Sequence, residues 1–437
     1  MTLRTDIVFN WNHYEQHLDE ASFQWGQWEQ SLSAPDEIPA EALASEERLL
    51  ARVDALVLGG EPVARKLLRP ALTTEEPERL STAVFALLEG GIDWAPEVLL
   101  QHLREAPPEA LPSIQRALEV LTPGPRTAWL QPLLGASEPR LQALALDVLG
   151  FQSTQPQALV EALAISTDPK VAASALRAAV RARRGVDWRG VRQALSSPEL
   201  EVRDAALLAG LLSGHRETWA VCREQLASRE RVPGLPALLL SLGTGPEAAA
   251  LFAGLLRDSE LRADALWALG FNGHVSAAEA CLEHLEDEAV GHLAAEAFSA
   301  ITGLPLEGDF VARPPDSSED PDEAPAAPER HPLPGAGLPL PNAGAIRAWW
   351  EQTRKQFQPT VRYLRGRPWT QTSLLETQWT EPMRRRHAWS LELTLRSQGA
   401  CQLRTRAFLR QQLTALAALR STALTLNTRQ LAGGVLS

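Results

Sequence analysis

The chain has 437 residues, 45% of them apolar and 22% charged, with 42 lysines plus arginines against 54 acidic residues for a formal net charge of −12. This is globular composition and excludes a disordered chain, while an acidic average argues against nucleic acid and anionic membrane as partners of the whole molecule. Three cysteines, an odd and sparse set, cannot build a disulfide framework and suit a reducing cytosol; with no apolar signal core at the start and no run of about 18 apolar residues, a cytoplasmic protein off the membrane is expected.

Residues 1–74 read as an N-terminal helical cap. Trp11, Tyr14, Leu18, Ala21, Trp25, Trp28 and Leu32 recur at steps of three and four, which draws one apolar stripe along a helix. Two readings are open: a capping helix docked on the elements that follow, or an aromatic surface for a partner with Trp25 and Trp28 as anchors. Beside the stripe, His13, His17 and Glu20 share one helix face at i, i+4, i+7, a spacing that can hold zinc and is equally met by partly buried side chains that pair with one another. Residues 45–72 form the next helical pair.

From 75 to 303 the chain repeats. Stretches such as SEPRLQALALDVLG (137–150), DPKVAASALRAAV (168–180), LEVRDAALLAGLL (200–212) and DSELRADALWALG (258–270) share an acidic or proline-containing start, a Val or Leu anchor, and small or apolar residues four and eight later. The anchors Leu80, Leu111, Leu141, Val171, Val202, Val232, Leu261 and Val290 follow one another at 29–31 residues. Positions i, i+4 and i+8 stack on one side of a helix, and Ala145, Ala175, Ala206, Ala265 and Ala294 mark where two helices approach closely. A second apolar helix lies between anchors, as in DWRGVRQALSS, ETWAVCREQLAS and SAAEACLEHLED. Two short helices per repeat cannot enclose a core alone, so the units are expected to stack into an α-solenoid, an all-α fold. Pro112, Pro233 and Pro236 predict bent or shortened helices in the Leu111 and Val232 units. These residues resemble HEAT repeats, particularly the short variety of about 30 residues found in bilin lyases.

Residues 304–344 change character: ten prolines, glycines at 308, 335, 337 and 344, and the acidic stretch PPDSSEDPDEAPAAPE. So few aliphatics cannot offset the entropy of ordering, which predicts a linker of extended polyproline character. Beyond it, residues 345–437 hold fifteen basic residues and four acids, a net +11 that leaves 27 basic against 50 acidic, or −23, for residues 1–344. Helices are expected over 343–357, 373–379, 381–397 and 402–420, with SLLE at 373–376 in the form of a capping box and Gly399 as a stop.

This basic end carries the candidate partner-binding residues. Trp349, Trp350 and Trp369 are interleaved with Arg362, Arg365, Arg367, Arg384, Arg385 and Arg386. Arginine forks beside flat aromatics suit acidic protein surfaces, and they suit phosphates and bases, so nucleic acid bound through 345–437 is the alternative. A third reading makes the aromatics a small core, with the arginines paired to the acidic linker or solenoid.

No chemistry-bearing motif stands out. No GxxxxGK[ST], HExxH or GxSxG occurs, and only Lys66, Lys170 and Lys355 are lysines. Di-iron hydroxylases of the HEAT type resemble arrays of His-Glu dipeptides, and this chain has none. Cys281-x-x-His284 is a two-ligand fragment, and Cys222 lies two repeats from Cys281, about 20 Å at ordinary helix spacing and too far to pair. A non-catalytic protein without cofactor or metal is expected; a HEAT-type lyase or metal-dependent enzyme is the remaining alternative.

Both ends together, in HLDEASFQWGQWEQSL (17–32), ERLLARVDALVLGGEPVA (47–64), AWWEQTRKQFQPTVRYLRGRPW (348–369) and MRRRHAWSLELTLRSQGA (383–400), resemble a bacterial HEAT-repeat family without established activity. Its members tend to be encoded among type VI secretion components. The resemblance implies a scaffold or adaptor, an accessory factor in loading secreted cargo. The usual Val-Arg signature is broken at Val171-Ala172 and Val290-Gly291, so no inner-face ligand residues carry over.

Overall fold

The computed structural model describes residues 10–154, 157–228, 234–312, 337–420 and 424–433. Among them are 22 α-helices and one small hairpin, Tyr363–Leu364 against Arg367–Pro368, so the chain is all-α as expected. No helix among the described residues is long and apolar enough to cross a membrane.

The anchors sit where the periodicity put them, at helix starts. Leu80, Leu111, Leu141, Val171 and Val202 open Pro77–Glu89, Leu111–Val120, Pro139–Phe151, Pro169–Arg181 and Leu200–Leu212. Leu261 and Val290 immediately precede Arg262–Leu269 and Gly291–Thr302; Val232 lies outside the described residues. Proline at the first turn sacrifices only an amide that has no helical partner. Asp168 satisfies another such amide, accepting the Val171 N–H at 3.1 Å. Side by side in chain order, Pro77–Glu89 packs on Leu111–Val120, and so on through Leu200–Leu212; likewise Gly234–Gly243 packs on Arg262–Leu269 and that on Gly291–Thr302. The five alanines nominated for close approach are all fully buried. At Gly150 the approach is closer still, since an added Cβ would stand 3.0 Å from Ala178 Cβ. The proline-bearing Leu111 unit is shortened as expected: its first helix spans Leu111–Val120, and its second is a tight 3₁₀ stretch, Ala128–Gly135, with Pro132 inside.

A helix leaves its last carbonyls unpaired, and here side chains one repeat later take them. Arg126 donates to Leu88 and Glu89, Gln152 to Leu118 at 2.8 Å, and Asn272 to Ser241 at 3.1 Å. The chain separates into two compact units. One comprises Met1–Ser33, Glu37–Ser213 and Leu403–Thr422; the other comprises Ala34–Asp36, Gly214–Gln402 and Ala423–Ser437. These do not follow the divisions read from sequence (1–74, 75–303, 304–344 and 345–437). The basic end is built into both units, because its arginines, aromatics and backbone amides pack on helices far upstream.

In the first unit, the apolar stripe of helix Trp11–Ser31 lies on Pro39–Leu58 and Pro77–Glu89. Trp25 and Trp28 meet edge to face at 5.5 Å, Trp25 meets Phe85 at 5.7 Å, and Trp28 meets Phe408 at 4.7 Å. In the second, the two ends of the expected linker bind each other: Ala312 N–H donates to Leu340 C=O and Asn342 N–H to Phe310 C=O, each at 2.9 Å. The acidic stretch between them falls outside the described residues. The capping box of helix Gln371–Thr380 is one turn earlier than read, with Thr370 as the cap and Ser373 as its reciprocal partner.

Truncating Trp28, which is 0% exposed, removes the ring that joins Trp25 to Phe408. Trp28→Ala is expected to lower stability by about 3–5 kcal/mol, whereas Phe23→Ala on the same helix, at an exposed ring, changes it by less than about 0.5 kcal/mol. Denaturant midpoints of the full chain read both; equal effects would contradict this placement of the stripe.

Candidate functional site

The Trp and Arg residues nominated for an external partner are, in the second unit, largely turned onto the chain itself. Helix Ala343–Thr353 carries Trp349 and Trp350 onto Phe298 of helix Gly291–Thr302, with ring centroids at 6.1 and 5.3 Å. Trp350 continues the stack to Phe357 and that to Tyr363. Trp369 lies between two guanidinium groups, Arg362 at 5.5 Å and Arg396 at 4.5 Å, and Glu392 bridges both cations. Burial pulls the Glu392 carboxyl upward, but the two arginines and their hydrogen bonds outweigh it and hold the group below the ordinary carboxylate range.

Arg384, Arg385 and Arg386 point three ways from the first turns of helix Met383–Arg396. Arg384 lies 4.4 Å over Trp267 and pairs with Glu296 at 3.3 Å. Arg385, 2% exposed, covers Phe271 at 4.2 Å and donates to the Gly270 carbonyl at 2.9 Å. Arg386 donates to the Gln378 carbonyl at 2.9 Å, and burial pushes its guanidinium down to about 10. A ligand arriving from solvent meets neither Arg385 nor Arg386. Arg365 pairs with buried Glu381 yet keeps about half its side chain in solvent, and Arg367 is exposed on the hairpin. Trp25 and Trp28 are likewise inside the first unit, so the partner surface expected of them is corrected to a core.

The same region caps helix ends. Arg362 donates to the carbonyls of Phe271 and Asn272 at 2.9 Å each. The Tyr363 amide donates to Gly273 C=O at 2.7 Å, Arg365 to Ala300 at 2.8 Å, and Gly366 to Ile301 at 2.9 Å. The fit is close because Gly273 and Gly303 adopt φ of +82° and +76°, and a Cβ on either would stand 2.5 Å from a hairpin carbonyl oxygen. The sequence reading missed this hairpin. Its signal was the two-residue loop Arg365-Gly366, both at positive φ, before Arg367-Pro368.

The remaining titratable groups are defined by their neighbours. His13 and His17 face each other through Nε2 at 3.0 Å, while Glu20 is held by Gln16 at 2.8 Å and Arg52 at 2.8 Å. Burial, then His13 and Arg52, lower the His17 imidazole against the pull of Glu20. Among the described residues, no group of three His, Cys, Asp or Glu is placed to hold a metal ion. Cys222, Cys281 and Cys401 are buried, and burial pushes the Cys281 thiol up to about 12. Asp204 is raised to about 6 by burial, with its Oδ1 enclosed and lacking a hydrogen bond.

An open groove lies between helices Trp11–Ser31 and Pro39–Leu58. About 640 Å³ in volume, it is lined by Asp19, Glu20, Phe23, Gln24, Arg48, Ala51 and Arg52. Phe23 is 65% exposed there, although it interrupts an otherwise polar helix face. Phe23 lies off the apolar stripe of its helix, so no periodicity marks it in the sequence.

No family model matches the sequence, and no curated protein does. Among solved structures, an engineered protein from a structural-genomics consortium is similar over 65% of this chain and 90% of its own, at 18% identity and a TM-score of 0.29. A second engineered protein covers 54% and 94%, at 19% identity and 0.20. Human deoxyhypusine hydroxylase in complex with glycerol covers 66% and 96%, at 18% identity and 0.23.

Two predictions follow from the buried charges. Glu392→Gln leaves two guanidinium groups short of their counter-ion and is expected to destabilise the chain by about 3–5 kcal/mol, against less than about 0.5 kcal/mol for exposed Glu351→Gln; denaturant midpoints decide, and parity would refute the network. His274 is depressed to about 4 by burial and then by Arg362, opposed by Glu247 and its bond to Asn272. The unfolded chain takes that proton near pH 6.5, so this stabilisation is complete above pH 6.5 and lost as pH falls through about 4. Between pH 7 and 4, the unmodified chain should lose about 2–3 kcal/mol more than His274→Gln; parallel losses in pH-dependent melts would count against it.

Proposed function

We propose that the chain is a non-catalytic protein-binding scaffold, an α-solenoid of HEAT-like repeats whose partner docks at the groove between its first two helices. Chain-order packing of helices at a spacing of about 30 residues supports the solenoid. The observation that carries the binding reading is Phe23: a large ring, mostly in solvent, set in a groove with Arg48 and Arg52 on one wall and Asp19 and Glu20 on the other. Covering such a ring yields roughly 1.5–3 kcal/mol, and an aromatic anchor ringed by charge is the usual make-up of an interface hot spot. The matching ligand is a protein segment with an apolar side chain for Phe23 and Ala51 and charges of both signs beside it. The resemblance to a family encoded among type VI secretion components supports a cellular role as adaptor or accessory factor in cargo loading.

The test places a photo-cross-linking residue at position 23 of the full chain in its native host. A single protein adduct is expected, lost when Arg48→Glu and Arg52→Glu are added. Adducts no different from those formed at an exposed site outside the groove, such as position 260, would sink the proposal.

A further inference from the structure

In the first unit, helix Leu409–Arg420 enters the structure through contacts that any helix start of one kind would make. Phe408, fully buried, sets its ring 4.7 Å from Trp28 and 5.4 Å from Phe85. Directly after it, the carboxylate of Glu46 accepts the backbone N–H groups of Leu409 and Arg410, the latter at 3.1 Å. Arg116, lying 4.9 Å over Trp28 and paired with Glu29, donates to the Arg406 carbonyl at 2.6 Å. The polar recognition is thus of main chain, and Phe408 supplies the aromatic part; Leu409 and Leu416 add apolar cover.

We infer that this hollow, made by Glu46, Trp28, Phe85 and Arg116, is a recognition site for a protein helix whose first turn follows a phenylalanine, and that residues 403–420 occupy it in cis. The free amides of a helix start carry partial positive charge, which Glu46 complements whatever the helix's sequence. An empty hollow would leave that buried carboxylate without the two amides that now bond it, a costly state for a buried charge. The site therefore favours exchange of one such helix for another over standing vacant. The inference is independent of the Phe23 groove, since the two share no side chain.

The test measures binding of a fluorescently labelled peptide with the sequence of residues 403–420 to full-length protein. Full-length Phe408→Ala, its hollow short of a ring, is expected to bind the peptide at least tenfold more tightly than the unmodified chain. Adding Glu46→Gln should weaken that binding at least tenfold, and a peptide with alanine for its phenylalanine should not bind. In the unmodified chain, hydrogen exchange of the 412–418 amides should run at least tenfold faster than in helix Pro77–Glu89, reporting that the segment opens by itself. Equal peptide affinity for both chains, binding to neither, or exchange of 412–418 only together with Pro77–Glu89 would overturn the inference; if Phe408→Ala does not fold, the exchange rates decide alone.

Discussion

Everything in this molecule answers to the unpaired carbonyls at the ends of its short helices. The first helices of the repeats are short, none longer than the 13 residues of Pro77–Glu89 among those described, so a large share of their backbone acceptors falls in the terminal turn. Buried without donors, those oxygens would each forfeit the free energy of a lost hydrogen bond. Two sources supply donors. Side chains one repeat later serve Leu88, Leu118 and Ser241, and the arginines and hairpin amides of the basic end serve Gly270, Phe271, Asn272, Ala300 and Ile301. Cations at helix C-termini are also favoured by the helix dipole. Two of the cations beyond residue 345, Arg362 and Arg385, are thereby matched to internal acceptors.

Arginine, not lysine, performs this work for a geometric reason. Its planar fork can hold a carboxylate, reach a carbonyl and lie flat on an aromatic ring at once, and its charge is less strongly hydrated. Arg385 does all three, among Glu296, the Gly270 carbonyl and Phe271. Arg362 does the same with Glu392, Phe271 and Trp369. Buried pairs of this kind add little net stability by their attraction, but removal of one member is severe because the other remains charged in a dry site.

The helices were legible because their signal is periodic: anchors, alanines and first-turn prolines recur, and the helices they mark pack on one another in chain order. The destination of the tryptophans and arginines was not, since Trp349, Trp369 and Arg384 have the composition of a partner surface and of a core alike. Only the position of Phe298, Trp267 and Glu296 decides between them, and those lie some 50 to 120 residues upstream. Glu46 was equally hidden: an acid in a helical stretch reads as solvent-facing until the chain brings Leu409 to it from 363 residues away. Asn272-Gly273 and Arg365-Gly366 were readable as turns, though their mutual fit was not.

Gly273 and Gly303 stand thirty residues apart, one repeat, and a single hairpin engages both. Where helical units touch only their neighbours, one can be gained or lost without penalty elsewhere. Here the hairpin acts as a gauge of fixed span laid across two consecutive helix ends. An insertion or deletion between those glycines would put one docking carbonyl out of reach. The length of chain between the two glycines is therefore held by the hairpin that begins at Tyr363, well beyond both in sequence.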